Sequence, residues 1–199
     1  MKNQIGYSLI ELLTSILILG IMASIAIPSF SSFVRRSAQS AIYNELVGTI
    51  SLARLEAVKR SAVVALCTSN DQTTCDATAA WNDGWLVFLD ADGDGSLDTG
   101  NVFDSDGDGT ADAPEPVLRR QGVAPASITI TSTQFPSRLS IAPRGRLQSQ
   151  GSFLICSQQN HETAMALNLW ITGLGRMATD GTDADEIVED ISGTNVSCP

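Results

Sequence analysis

Gly6-Tyr7-Ser8-Leu9-Ile10-Glu11-Leu12-Leu13 opens an apolar run that continues to Ile27, and between Tyr7 and Ile27 the only charged residue is Glu11. Wound as a helix, those 21 residues reach about 31 Å, roughly one hydrocarbon core. A lone carboxylate near the end of such a span costs on the order of a few kcal/mol unless it is paired, so it marks function. An ordinary secretory signal would need a charged start and a small-x-small cleavage site. Ser24-Ile25-Ala26 could supply the site, but Glu11 inside the core and the single Lys2 fit that reading poorly. A plain membrane anchor needs neither Gly6 nor Glu11.

A third reading uses both residues. The stretch from Gly6 to Leu13 resembles the processing site of type IV pilins and type II secretion pseudopilins. The resemblance implies that a prepilin peptidase cuts between Gly6 and Tyr7 and that Tyr7 is then N-methylated. It also implies that Glu11, fifth in the mature chain, pairs with the N-terminal amine of an adjacent subunit. Tyr7 stands where phenylalanine is commoner, and both are aromatic. Pro28 falls where these proteins often carry a helix-kinking proline. On this reading residues 1–6 are a leader and 7–28 a transmembrane, filament-core helix. The expected location is the inner membrane, single-pass, with the N-terminus cytoplasmic and the globular part periplasmic, followed by incorporation into a pilus or pseudopilus.

The helical pattern does not stop at Pro28, which removes one donor and should bend the helix rather than end it. Phe30, Phe33/Val34, Ala38, Ala41/Ile42, Leu46, Ala53 and Ala57 recur at intervals near three and four, with Arg35, Arg36, Glu45, Arg54, Glu56, Lys59 and Arg60 between them. That predicts an amphipathic helix over 29–60. Its second half should pack on its own domain and its first half against neighbouring subunits. Arg54 and Glu56 are too close in sequence to face each other and read as solvated or interfacial charges.

Beyond residue 60 the pattern turns to short apolar runs. Val63–Cys67, Trp85–Leu89, Val117-Leu118, Ser127–Thr131, Leu139–Ala142, Phe153–Cys156 and Ala164–Thr172 read as strands, punctuated by Pro125, Pro136, Pro143, Gly145 and Gly151. Ala79–Asp83 reads as loop. The run from Ala164 is ambiguous by composition. Ser51–Arg60 with Ala62–Cys67, then Glu115-Pro116-Val117-Leu118-Arg119, Phe135, Pro143-Arg144-Gly145, Phe153–Cys156 and Gly173-Leu174-Gly175-Arg176 resemble the GspH/FimT group of minor pilins and pseudopilins. The resemblance covers nearly the whole chain and favours strand at Ala164–Thr172. It implies an α+β, pilin-like fold: a long N-terminal helix packed on a mainly antiparallel β domain, 61–199, with an acidic loop at 90–115.

The chain holds 12 basic and 22 acidic residues, a net charge of −10 that becomes −11 once Lys2 leaves with the leader. Such a chain repels polyanions at long range, so nucleic acid is not its default partner. Acids crowd two places, nine of them from Asp90 to Glu115 and six from Asp180 to Asp190. Cys67, Cys75, Cys156 and Cys198 are an even set in a chain expected to leave the cytoplasm, which predicts two disulfides with three formal connectivities. Local pairing is expected. Cys67 and Cys75 are close in sequence beside a strand end, and Cys156 with Cys198 would tie down a polar tail.

The acidic segment repeats itself at a spacing of fourteen residues. Asp90-Ala91-Asp92-Gly93-Asp94-Gly95-Ser96-Leu97-Asp98 returns as Asp104-Ser105-Asp106-Gly107-Asp108-Gly109-Thr110-Ala111-Asp112. The second copy has Glu115 at its twelfth position, where the first has Asn101. That matches the calcium-loop template of side-chain oxygens at 1, 3, 5, 9 and 12 with a glycine at 6, the carbonyls of Ser96 and Thr110 taking the seventh place. The second copy is the better match. No helices flank the loops, so this is not an EF-hand pair, and an acidic turn without metal is the competing reading. Ca2+ is a candidate ligand and no cofactor is required.

His161, the only histidine, lies in a polar turn, and no nucleophile-base arrangement or phosphate-binding glycine motif appears. The expectation is a structural, non-enzymatic protein: a minor pilin in the tip or priming complex of a type IV pilus. The alternatives are the H-type minor pseudopilin of type II secretion and a DNA-uptake receptor pilin. DNA capture in the group is associated with a Gly-Arg-x-Arg motif, but here the residues are Gly175-Arg176-Met177-Ala178. Arg138, Arg144, Arg146 and Arg176 are the candidate DNA contacts. Expected partners are other major and minor pilins or pseudopilins through the N-terminal helix, the prepilin peptidase and the inner membrane.

Overall fold

The long stretch of leucine, isoleucine and alanine carries one unbroken helix, α1 (Leu9–Arg60). The computed structural model describes residues 8–104, 107–157, 160–180, 185 and 187–198, without the side chains of 25–29 and 160–163. The helix passes through position 28 without ending, and it stops where Ser61 takes φ +51° and the Ala62 N–H reaches back to the Ala57 carbonyl at 3.3 Å. A left-handed residue after the last turn is the usual way to close a helix.

The chain divides into two units, one ending at Ser37 and the other beginning at Ala38. The division falls inside the stretch expected to be a single amphipathic element. In the first unit every described side chain from Leu9 to Ser24 is exposed, as are Phe30, Phe33 and Val34. Among the described residues no helix is long and apolar enough to cross a membrane. The side chains of the apolar run are described only as far as Ser24, short of Ile27.

In the second unit α1 buries Gln39, Ile42, Tyr43, Leu46, Thr49, Ile50, Ala53 and Ala57. This is a stripe at three-and-four spacing. Ala41, expected in the stripe beside Ile42, is exposed. Gln39 enters it because its amide donates to the Ile155 carbonyl at 2.8 Å, which satisfies the polar group inside the core. Arg119 pairs with Glu45 beside the same stripe.

Among the described residues eight strands follow: β1 (Val63–Thr68), β2 (Trp85–Asp90), β3 (Val117–Gln121), β4 (Ile128–Thr131), β5 (Arg138–Ile141), β6 (Gly151–Ser157), β7 (Asn160–Leu169) and β8 (Gly175–Met177). They form two antiparallel sheets in the orders β3-β2-β1-β5 and β4-β6-β7-β8. The strand read at Ala164–Thr172 ends at Leu169, because Trp170–Gly173 turns tightly with the Gly173 N–H on the Trp170 carbonyl. The chain then returns as β8, which sequence reading treated only as a motif.

One face of each sheet shares a core with α1. Val64, Leu66, Trp85, Val87, Leu89, Leu139 and Ile141 come from the first sheet, and Ile128, Ile130, Phe153, Ile155, Leu167 and Leu169 from the second. The loop expected at Ala79–Asp83 contains a 3-10 turn, Trp81–Asp83, that places Trp81 at the centre of this core. Its indole N–H donates to the Phe135 carbonyl at 2.7 Å and its ring meets Phe153 edge-on at 5.0 Å.

The opposite faces are covered by irregular chain. Ala65, Cys67, Leu86, Phe88 and Val117 of the first sheet pack with Cys75 and Leu97. Cys156, Ala164 and Ala166 of the second pack with Ile187, Val188, Val196 and Cys198. Disulfides join Cys67 to Cys75 and Cys156 to Cys198, one at each covered face. The tail is also hydrogen-bonded down, from the Ile191 N–H to Ser152 Oγ at 2.9 Å and from the Asn168 amide to the Glu189 carbonyl at 3.3 Å.

Leu46 is fully buried at the meeting of helix and sheets, whereas Leu55 on the same helix is 62% exposed. Leu46→Ala should cost about 2–5 kcal/mol, while Leu55→Ala should stay within about 0.5 kcal/mol. Urea unfolding of the chain in mild detergent measures both, and equal midpoints would contradict this packing.

Candidate functional site

Three features carry the chemistry. The first is Glu11. Its backbone carbonyl accepts from the hydroxyls of Thr14 at 3.0 Å and Ser15 at 2.7 Å, which keeps two polar side chains satisfied along an apolar helix. Its own carboxylate is exposed and has no ion pair among the described residues. Gly6 and Tyr7 lie outside the described residues, as do Asp106 and the side chains of Pro28 and His161.

The second is the acidic segment. Both repeats fold as the same aspartate-centred turn. Asp90 accepts from the N–H groups of Gly93 at 2.8 Å and Gly95 at 3.0 Å, and Asp104 accepts from Gly107 at 2.7 Å and Gly109 at 2.8 Å. Asp94 and Asp108 each accept from the residue two places on, Ser96 and Thr110. The repeats differ in their surroundings. Phe103 and Ala113 pair as an antiparallel bridge, so the second repeat lies beyond it, exposed from Gly107 to Asp112, and the first lies at its base.

That hairpin corrects one expectation. Glu115, assigned by spacing to the second loop, turns away from it and closes the first. Its two carboxylate oxygens accept from the Ala91 N–H at 2.6 Å and the Asp98 N–H at 3.0 Å. Asp90, Asp92 and Asp94 present carboxylate oxygens within 4.8 Å of one another. Among the described residues the acidic cluster is therefore the first repeat, closed by Glu115, while Asp106 of the second repeat lies outside them. Asp90 and Glu115 are buried, at 1% and 4% exposure, and neither has a cationic partner among the described residues.

Burial pushes both carboxyls above the usual range, against the backbone N–H groups that pull them down, and the neighbouring aspartates add to the rise. A hard, oxygen-seeking divalent cation suits this set, since it would remove the repulsion and use the carboxylates as ligands.

The third feature is the set of arginines expected as DNA contacts, with Arg54 of α1 beside two of them. Arg138 lies against the acidic segment, where its guanidinium donates to the Asp94 carbonyl at 3.2 Å. Arg144 and Arg146 flank Gly145, which packs on Arg54 of α1. A Cβ at Gly145 would lie 3.0 Å from Arg54 Cγ, and one at Gly173 would lie 2.1 Å from the Gly145 carbonyl oxygen. Both glycines have φ above +70°, so the two turns can touch and hold the Arg54 side chain across them. Arg176 follows on β8. Arg54 thus lies across both turns, which no spacing rule could show because Gly145 and Gly173 are 91 and 119 residues beyond it in sequence.

A long N-terminal helix packed on antiparallel sheets, headed by a lone glutamate in an apolar run, defines a pilin-like protein. Residues 1–27 match the prokaryotic N-terminal methylation motif. Residues 43–175 match the family described as type II transport protein GspH, and the chain belongs to that family. Among solved structures, the type IV minor pilin FimU of Pseudomonas aeruginosa (strain PAO1) shares the fold at 20% identity. The match covers 84% of this chain and 99% of that one, with a TM-score of 0.54. A second crystal form of FimU, also 20% identical, covers 71% and 90% with a TM-score of 0.46. No curated protein matches the chain.

A carboxyl that binds its proton more tightly in the folded state adds most to stability below its unfolded pKa. That contribution falls as pH rises through the raised folded value. Asp90 and Glu115 behave this way. Asp71 is the opposite case, held well below the usual range by the backbone N–H groups of Thr73 and Thr74. A carboxyl-carbon NMR titration should therefore show Asp90 and Glu115 protonating at distinctly higher pH than Asp71, and the reverse order would overturn the account of the loop.

Proposed function

We propose that this chain is a minor pilin of a type IV pilus, built into the tip or priming complex. It would be held before assembly in the inner membrane by its N-terminal helix, with the β domain on the periplasmic side. The observation that carries the reading is continuity. A methylation-type start leads into an exposed apolar helix with one carboxylate, and the same helix ends inside the core of a GspH domain. Its role is structural. The prepilin peptidase would cut between Gly6 and Tyr7, and Tyr7 would carry the methylated amine that faces Glu11 of the next subunit.

The family description favours a second reading, the H-type minor pseudopilin of type II secretion. Deleting the gene separates the two, since a pilin's loss removes surface pili while a pseudopilin's loss stops secretion with pili intact. The DNA-uptake reading is weaker, because Gly175-Arg176-Met177-Ala178 lacks a second arginine and Arg138 is engaged by the Asp94 carbonyl of the acidic segment.

The acidic segment supports a subordinate proposal, that a calcium ion is bound by Asp90, Asp92 and Asp94 with Glu115 beside them. Two buried carboxylates without a cationic partner among the described residues favour it. The second repeat, Asp104, Asp108 and Asp112, would bind more weakly at its exposed tip.

Glu11→Ala should sharply reduce incorporation into filaments while cleavage after Gly6 continues, because the uncompensated amine of the neighbour would stay in low dielectric. Immunoblots of sheared filaments and of membranes read the two steps, and normal incorporation would sink the pairing. For calcium, a hundredfold excess over Kd should stabilise the chain by about 2.7 kcal/mol. Asp90→Asn should abolish that gain and Asp108→Asn should leave most of it. Thermal melts with millimolar calcium against chelator decide the matter, and identical curves leave the segment as a doubled turn.

A further inference from the structure

The two disulfides differ in how far they can be reached. Cys156 and Cys198 are 0% and 7% exposed, within the cluster that the C-terminal tail forms with β6 and β7. Cys67 is also buried, but its partner Cys75 is only half-buried. Of the four bridged cysteines it is the one left partly open. A cleft of about 190 Å³ lies beside it, lined by Cys67, Thr74, Cys75, Gly95, Leu97 and Arg138 among others. The Cys67–Cys75 loop forms one wall of this cleft and the first acidic repeat forms another.

The first repeat is held from that side. Leu97 is half-buried and packs against the buried cluster that contains Cys67, as does Cys75. Arg138, opposite Cys67 across the β1–β5 pair, donates to the Asp94 carbonyl, and a Cβ at Gly95 would lie 3.4 Å from its Cδ. The second repeat folds as the same aspartate-centred turn, but Ala111 stands there in the place of Leu97 and is exposed. One local chemistry thus occurs twice, once packed against the disulfide and once in the open.

We infer that the Cys67–Cys75 bridge is a redox-sensitive catch for the first acidic repeat, opened by a dithiol before Cys156–Cys198 is. A thiolate of the dithiol attacks Sγ of Cys75, the less buried partner, and Cys67 leaves as a thiolate that takes a proton from water. The second thiol of the reagent then attacks the mixed disulfide and releases Cys75. The reagent ends as a cyclic disulfide, and its two electrons have reduced the bridge. Two thiols need more room than one disulfide, and a cluster packed like a protein interior has none to spare, so Leu97 must shift. Asp76 stays at the strand end, its N–H on the Thr68 carbonyl at 2.9 Å and its carbonyl accepting from the Thr68 hydroxyl at 2.7 Å. Opening the bridge therefore loosens the repeat while the loop keeps its place. None of this requires an ion in the segment.

Dithiothreitol titrated onto the full chain in mild detergent tests it, with alkylation and peptide mapping to read which bridge has opened. Cys67 and Cys75 should be alkylated at a concentration at least tenfold below that needed for Cys156 and Cys198. At that concentration amide hydrogen exchange followed by NMR should quicken at least tenfold at Gly95 and Asp98, whose N–H groups rest on Asp90 and Glu115. Exchange at Gly107 and Gly109 of the second repeat should change less than twofold. In Leu97→Ala the same reduction should change Gly95 less than threefold, because the contact that couples repeat and bridge is gone. The double variant Cys67→Ala with Cys75→Ala should show the fast exchange without reductant, and if it does not fold, reduction of the unaltered chain decides alone. Opening of Cys156–Cys198 first, or of both bridges together, would overturn the inference. So would unchanged exchange at Gly95 and Asp98 once the bridge is open, equal acceleration in both repeats, or a full response in Leu97→Ala.

Discussion

Two sheets have four faces, and one helix can share a core with only two of them. The rest of the domain answers that constraint. Side chains along a strand alternate between faces. In β1, Val64 and Leu66 point to the helix side while Ala65 and Cys67 point away, and both sets are buried. A strand buried on both faces cannot alternate with polar residues, which is why Trp85-Leu86-Val87-Phe88-Leu89 reads as an unbroken apolar run. The outer faces are then covered by chain with no regular structure of its own: the Cys67–Cys75 loop and acidic hairpin over one sheet, the C-terminal tail over the other. Segments of that kind are held poorly by packing alone, and the two disulfides sit where they are needed.

The first unit faces the opposite condition. Its apolar side chains are exposed from Leu9 onward. An exposed apolar surface of that length marks an interaction surface. The same helix thus meets two environments along its length. From Gln39 on it is packed by its own domain, and from Leu9 to Ser24 its described side chains are exposed.

The long helix and most strands were legible because their signals are local: three-and-four spacing, apolar runs, and glycine or proline between them. Aspartate and glycine chemistry is equally local, so the doubled turn at 90–112 could be read directly. What could not be read depended on distant contacts. Glu115 belongs to the first acidic repeat only because Phe103 and Ala113 pair and fold the second repeat outward. Trp81 sits in a short turn, and nothing beside it in sequence shows that its ring enters the core. β8 is three residues long and exposed, with no apolar pattern to declare it. Arg54 lies across two glycine turns whose contact is visible only once the sheet has formed.

The covalent ties also set how the domain would respond to mechanical load. If the chain were pulled through its helix, as the proposed filament role would have it, it would lengthen only by residues that the pull can straighten. The Cys156–Cys198 bridge encloses a sequence separation of 42 and the Cys67–Cys75 bridge one of 8. At about 3.3–3.6 Å per extended residue, the larger loop alone withholds on the order of 140 Å of slack. The tail that covers the second sheet is therefore excluded from the extensible length. Under such a pull the tail would stay tied to β6 through Cys156 even after the sheet beneath it had begun to open.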